Sequence, residues 1–130
     1  MSVALTLELP AERTSPSVAR RWIRPLVAER VLDSEALLLC LSEIVANAVL
    51  HARTPCLVSI RWVDDVVRIG VRDTAPERVP VKRNFDRTAT TGRGLRILDS
   101  CTYRWGVDHE PAAKTVWFEL PVRHAERTGA

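Results

Sequence analysis

The stretch "SEIVANAVLHA", residues 42–52, constrains this chain more than any other. As a helix it is apolar nearly all round, yet Glu43 and Asn47 interrupt it four residues apart. Four residues is one helical turn, so both side chains project from a single stripe. A carboxylate and an amide in such a helix either meet partners or cost stability. The helix starts upstream, with Asp33 or Ser34 as its N-cap, and runs to about Ala52. Leu37, Leu38, Leu41, Ile44, Val45, Ala48 and Val49 give it a broad apolar face.

The flanking segments supply what that face packs on. "VALTLEL" (3–9) alternates apolar and polar residues as a strand does. "SVARRWIRPLVAERV" reads as a further helix with Pro25 as a kink or weak point. Thr54-Pro55 ends the central helix. "CLVSIRWV" and "VVRIGVRD" follow as two strands joined by a turn at Asp64-Asp65. In the second strand Val67, Ile69, Val71 and Asp73 point the same way, so an aspartate continues a buried row. Residues 76–91 show no period and are rich in Pro, Thr and charge, as a long loop, functional or mobile, would be. "GRGLRILDSC" opens a short helix behind two glycines. "YRWGV" and "KTVWFELPV" are the closing strands, and 123–130 reads as a flexible tail. The order β, α, α, β, β, loop, α, β, β predicts an α+β fold. It is a two-layer sandwich, a mixed, mainly antiparallel sheet with helices on one face.

Composition narrows the function. One domain spanning residues 1–130 accommodates the 14.6 kDa chain, with a real core. No apolar run reaches membrane-span length, and the N-terminus lacks a basic start and a cleavage site, which predicts a cytoplasmic protein. Cys40, Cys56 and Cys101 are far apart, without CxxC or His-rich pairing, which argues against a disulfide framework and a structural zinc. The net charge of +3 rests on 17 Arg and 2 Lys scattered among 16 acidic residues. With no aromatic platform and no basic run, nucleic acid is not the expected partner. Arg20, Arg21 and Arg24 form the one compact basic group, either a solvated helix face or a docking patch.

Three anomalies then share one explanation. They are the Glu43/Asn47 stripe, Asp73 ending a buried strand, and Gly92-x-Gly94 at a helix start. Each alone has a plainer account: a surface glutamate, a turn-forming "DTAP", a tight turn. Together they describe a nucleotide site. A buried Asp accepts from an adenine amino group, an Asn carbonyl is a hard ligand for Mg²⁺, and glycines before a helix let backbone approach phosphates. The pattern GxxxxGK[ST] is absent, so this is no P-loop protein.

In these motifs the chain resembles the histidine-kinase-like ATPase (GHKL or Bergerat) superfamily. Within it, the chain looks like the small bacterial anti-sigma-factor serine/threonine kinases of actinobacterial type. "SEIVANAVLHA" resembles the N-box, "VRDTAP" the first glycine-box region and "TGRGLRIL" the second. "YRWGV…KTVWFELP" is similar to the closing strands, and the resemblance spans about residues 15–122. It implies ATP and Mg²⁺ as cofactors, with Asn47 as the metal ligand and Glu43 as catalytic base for an incoming hydroxyl. It further implies Asp73 as the adenine reader beside Ala75, with Thr115 supporting that contact from a neighbouring strand. Gly92, Arg93, Gly94 and Leu95 match the phosphate-proximal box, and 77–91 the lid. His51, inside the N-box, is read as structural, near a helix C-terminus.

Two departures stand beside this match. Ala75-Pro76 occupies the place where relatives commonly carry Gly or Ser, and the lid holds no glycine before Gly92. Neither falls on Glu43, Asn47 or Asp73. The function the resemblance implies is an ATP-dependent switch that binds a sigma factor and phosphorylates an anti-anti-sigma (STAS-type) antagonist, often as a homodimer. The alternative is an ATP-binding interaction module without kinase activity.

Overall fold

The computed structural model describes residues 3–74, 98 and 102–123. In chain order these form β1 (Leu5–Leu9), α1 (Ser15–Val27), α2 (Ser34–Ala46), a π-helical segment (Asn47–Ala52), β2 (Cys56–Val63), β3 (Val66–Asp73), β4 (Arg104–Glu110) and β5 (Ala113–Pro121). Leu98 is helical and buried, and its carbonyl accepts from the Thr102 amide at 3.0 Å, an i to i+4 bond where the short third helix is expected. Ala75, the expected lid and the Gly92–Leu95 box lie outside the described residues, as do 124–130.

The strands make one sheet in the order β1-β2-β3-β5-β4. All four pairings are antiparallel, so the sheet is not mixed among the described residues. β2 and β3 form the hairpin expected at Asp64-Asp65, with Val63 opposite Val66. Asp64 takes φ 52°, the left-handed conformation that Asp tolerates better than bulkier residues.

Alternation along each strand then defines two faces. Val58, Ile60, Val67, Ile69, Val71, Val116, Phe118 and Leu120 form the inner face, all 2% exposed or less. Ala19, Ile23 and Val27 of α1 and Leu37, Leu41, Ile44 and Val45 of α2 complete the core with them. Fully burying a side chain of this class contributes about 1.5–3 kcal/mol, so this single layer of contacts dominates the fold's stability. α2 with its π-helical extension, Ser34–Ala52, is by length and hydropathy able to cross a membrane, but 56% of it is buried inside the fold. It is the core helix.

α2 begins as its sequence suggests. Asp33 is the N-cap, and its Oδ1 accepts from the Ala36 amide at 3.2 Å. The α1–α2 connection is pinned to the far end of the sheet. Val31 bridges Val122, the Leu32 amide donates to the Pro121 carbonyl at 3.2 Å, and the Arg123 amide donates to the Arg30 carbonyl. Arg123, read from sequence as the first tail residue, is therefore anchored. α1 continues through Pro25 as one helix of 13 residues.

Candidate nucleotide site

Glu43 and Asn47 sit where the helix stops behaving as an α-helix. On α2 the positions 37, 38, 40, 41, 42, 44 and 45 are buried, whereas Glu43 and Asn47 are half-buried. The polar stripe thus lies at the edge of the core. From Asn47 to Ala52 the backbone widens to π geometry, and the Asn47 amide is shared between the carbonyls of Glu43 and Ile44. Such widened turns cluster at functional sites. Arg53 closes the segment in the left-handed conformation, φ 61°. His51, in this last turn, is exposed.

One residue before Glu43, Ser42 locks the helix to its neighbour. Its hydroxyl donates to the Leu38 carbonyl at 3.0 Å and accepts from Arg20 Nη1 at 2.8 Å. Arg20 is therefore an internal tie between α1 and α2. Arg24 lies 3.8 Å from Glu35, an exposed pair across the same two helices. Of the basic group on α1, Arg21 alone has no such role among these contacts.

The chain then brings Asp73 to the same end of the molecule. Three residues separate the π-helical segment from Cys56, which starts β2 and is the register partner of Asp73 at the end of β3. Asp73 is 2% exposed, as the alternation with Val67, Ile69 and Val71 requires. Burial, reinforced by the Asp73 carboxylate, pushes the Cys56 thiol up to about 11. Two residues before Cys56, the Thr54 hydroxyl is buried and has no hydrogen-bond partner among the described residues, an orphaned polar atom at the end of the molecule where a polar ligand is expected.

The partner of Asp73 is a residue that the sequence reading passed over. Lys114, opposite Asp73 in the β3–β5 register and itself 2% exposed, donates its ammonium to Asp73 Oδ2. Thr115, expected to support the Asp73 contact, is not the register partner of Asp73. One residue out of phase, Thr115 pairs with Arg72 and lies on the outer face, lining a cavity with Ser59, Arg61, Gly70 and Trp117. A signal was present in "KTVWFEL": Lys114 is in phase with Val116, Phe118 and Leu120, as Asp73 is with its own apolar row.

The outer face is built differently. The Arg68 guanidinium stacks over the Trp117 ring at 3.9 Å, and the ring lies so close over Gly106 that an added Cβ there would meet it at 2.8 Å. Glu119, 4% exposed, accepts two hydrogen bonds from Arg104 at 2.8 and 3.0 Å, with Arg68 at 3.6 Å. Arg72 and Glu110 form an exposed two-pronged pair that raises the arginine's pKa and lowers the glutamate's, first through their hydrogen bond.

A cavity of about 550 Å³ opens at the sheet rim between Glu8, Pro10, Pro55, Cys56, Arg72 and Thr74. It adjoins the Asp73 end, but Glu43 and Asn47 do not line it. Among the described residues no three His, Cys, Asp or Glu side chains cluster as a metal site.

The family model of the histidine kinase-like ATPase domain matches residues 9–120. The chain belongs to the histidine kinase-like ATPase family. No curated protein sequence matches it. Its fold is similar to that in the crystal structure of the RsbU and RsbW domains of Rv1364c from Mycobacterium tuberculosis, with a TM-score of 0.69 at 19% identity. That match covers 92% of this chain and 32% of the other, so the ATPase domain described above spans about a third of that chain's length. At this identity the likeness is one of fold. Among the described residues, the antiparallel five-stranded sheet with its two long helices is thus the family's α+β architecture.

Proposed function

We propose that this protein is an ATP-binding regulator, an anti-sigma-factor-like serine/threonine kinase that sequesters a sigma factor and phosphorylates an anti-anti-sigma antagonist. The observation that carries the reading is the placement of Glu43 and Asn47. In a chain of the ATPase family, they occupy the half-buried stripe where α2 widens, at the end of the sheet that also holds Asp73. Side chains kept off the core at that position are available to a ligand.

In this reading Asn47 would hold Mg²⁺ through its amide oxygen, Asp73 would meet the base, and the backbone of the Gly92–Leu95 box, with Arg93, would serve the phosphates. Bound Mg²⁺ supplies charge neutralisation on the phosphate oxygens. Glu43 accepts the proton of the incoming serine or threonine hydroxyl, whose oxygen bonds to the γ-phosphorus as ADP leaves. The protein acts in the cytoplasm, either alone or as a homodimer, with no nucleic acid or membrane partner.

A second reading, an ATP-binding interaction module that transfers no phosphate, is favoured by one observation. Asp73 is already held by Lys114, so the base end of the site differs from the simple adenine reader that the resemblance implies. The test is calorimetric titration with ATP, with and without Mg²⁺, followed by a transfer assay on STAS-type antagonists. The kinase reading expects Mg²⁺-dependent binding and transfer, with transfer lost by about 100-fold or more in Glu43→Ala while ATP still binds. Binding with no transfer to any antagonist selects the second reading. No ATP binding overturns both.

A further inference from the structure

We propose that the cavity at the sheet rim is a second ligand site, which takes a small zwitterion with an apolar body, a free apolar α-amino acid. The inference is independent of the ATP-binding reading, because Glu43, Asn47 and Asp73 do not line this cavity.

The cavity, about 550 Å³, lies where β1 ends, β2 begins and β3 ends. Leu9, Pro10, Pro55 and Leu57 make most of its wall apolar. Small-molecule sites typically run to about 300–1,000 Å³, with apolar walls and a few polar groups that fix orientation. Two charged side chains supply those groups here. Glu8 and Arg72 are both register partners of Leu57, one from each neighbouring strand, so they flank it on one face of the sheet. Two strand spacings, roughly 10 Å, separate their backbones. They do not pair with each other, since Arg72 is taken by Glu110.

The protein has used these two charges to different extents. Glu110 engages Nε and Nη2 of Arg72, at 3.3 and 3.1 Å. A guanidinium carries five N–H donors in a rigid fork, so this grip orients the group and leaves the N–H donors of Nη1 unused among the described residues. Glu8 makes no side-chain hydrogen bond or ion pair among the described residues. An available donor and an available acceptor thus stand on either side of an apolar floor. A ligand bearing only an amine meets Glu8 but is repelled by Arg72, and one bearing only a carboxylate meets the converse. The zwitterion satisfies both through charge-assisted hydrogen bonds. Its apolar side chain leaves water against Leu9, Leu57 and the two prolines.

The experiment titrates the intact protein, without nucleotide, with L-phenylalanine and L-leucine. Phenethylamine and 3-phenylpropanoate serve as analogues lacking the carboxylate and the amine. Affinities are read from amide chemical shifts by NMR. Both amino acids are expected to bind saturably, with L-phenylalanine at least about fivefold tighter than either analogue. Glu8→Gln and Arg72→Gln should each weaken L-phenylalanine by about fivefold or more, while Glu8→Gln leaves 3-phenylpropanoate no weaker. Both positions are exposed, so the variants are expected to fold, which circular dichroism checks. The inference is overturned if neither amino acid binds at concentrations on the order of 10 mM. It is equally overturned if an analogue binds as tightly as L-phenylalanine, or if either folded variant keeps the original affinity for it.

Discussion

Cys56 and Asp73 share one register position, and their chemistry is coupled through it. The thiol is pushed up to about 11 from 9.0, by burial first and by the aspartate second. The native state therefore keeps its proton where the unfolded chain has lost it. The thiol's contribution to stability is complete below about pH 9 and is lost as the pH rises through about 11. Two measurements check this. Alkylation of Cys56 should stay slow until the pH approaches that of the folded thiol. In Asp73→Asn, where the smaller charge contribution is gone, the rate profile should move to lower pH. An unchanged profile in that variant means that the aspartate does not act on the thiol. The same residue pair shows how much chemistry was legible. Asp73 stood out because it continued an apolar row, whereas Lys114 opens "KTVWFELPV" in phase with its own apolar row and was not singled out.

At the scale of elements, α2 is where local sequence and tertiary packing agree most closely. Asp33 caps it, Leu37, Leu41, Ile44 and Val45 fill its buried side, and the stripe through Glu43 and Asn47 stays at the margin. Asp33→Ala removes the acceptor for the Ala36 amide and is expected to cost about 0.5–2 kcal/mol in denaturant unfolding. The helix start is exposed, so ATP affinity should be unaffected apart from the loss of stability. A loss well above that range would mean that the cap also positions the connection pinned to β5. The switch from α to π geometry at Asn47 was not legible, because "NAVLHA" carries no breaker. The widening depends on how the helix end meets the strand that follows, through Arg53 in its left-handed conformation and the Thr54 amide reaching back to the Ala48 carbonyl at 3.2 Å.

At the scale of the whole molecule, the sheet order places β5 between β3 and β4, which brings Lys114 against Asp73 and leaves the helices on one side. The outer face carries Trp117, Glu119 and their arginines, a layer that the sequence reading did not foresee. A site assembled from a helix end and a strand end should separate metal binding from base binding. Asn47→Ala is accordingly expected to weaken Mg-ATP by about tenfold or more, while nucleotide without metal loses little. Titration in the presence of Mg²⁺ and of a chelator checks this, and equal weakening in both would remove Asn47 as the metal ligand. Asn47 is half-buried and outside the core cluster, so thermal stability should change little.

The chain by itself determined its strands, its two long helices, the hairpin at Asp64-Asp65 and the α+β class. Each follows from a periodicity or a turn preference acting over a few residues. It also marked Glu43, Asn47 and Asp73, since polar groups in apolar rows are costly wherever they fall. Tertiary structure alone decided what those groups meet. Register between β3 and β5 chose Lys114 over Thr115 as the partner of Asp73, and a shift of one residue would have reversed the choice. Register is set by pairing across 41 positions of chain, a distance over which no local pattern acts.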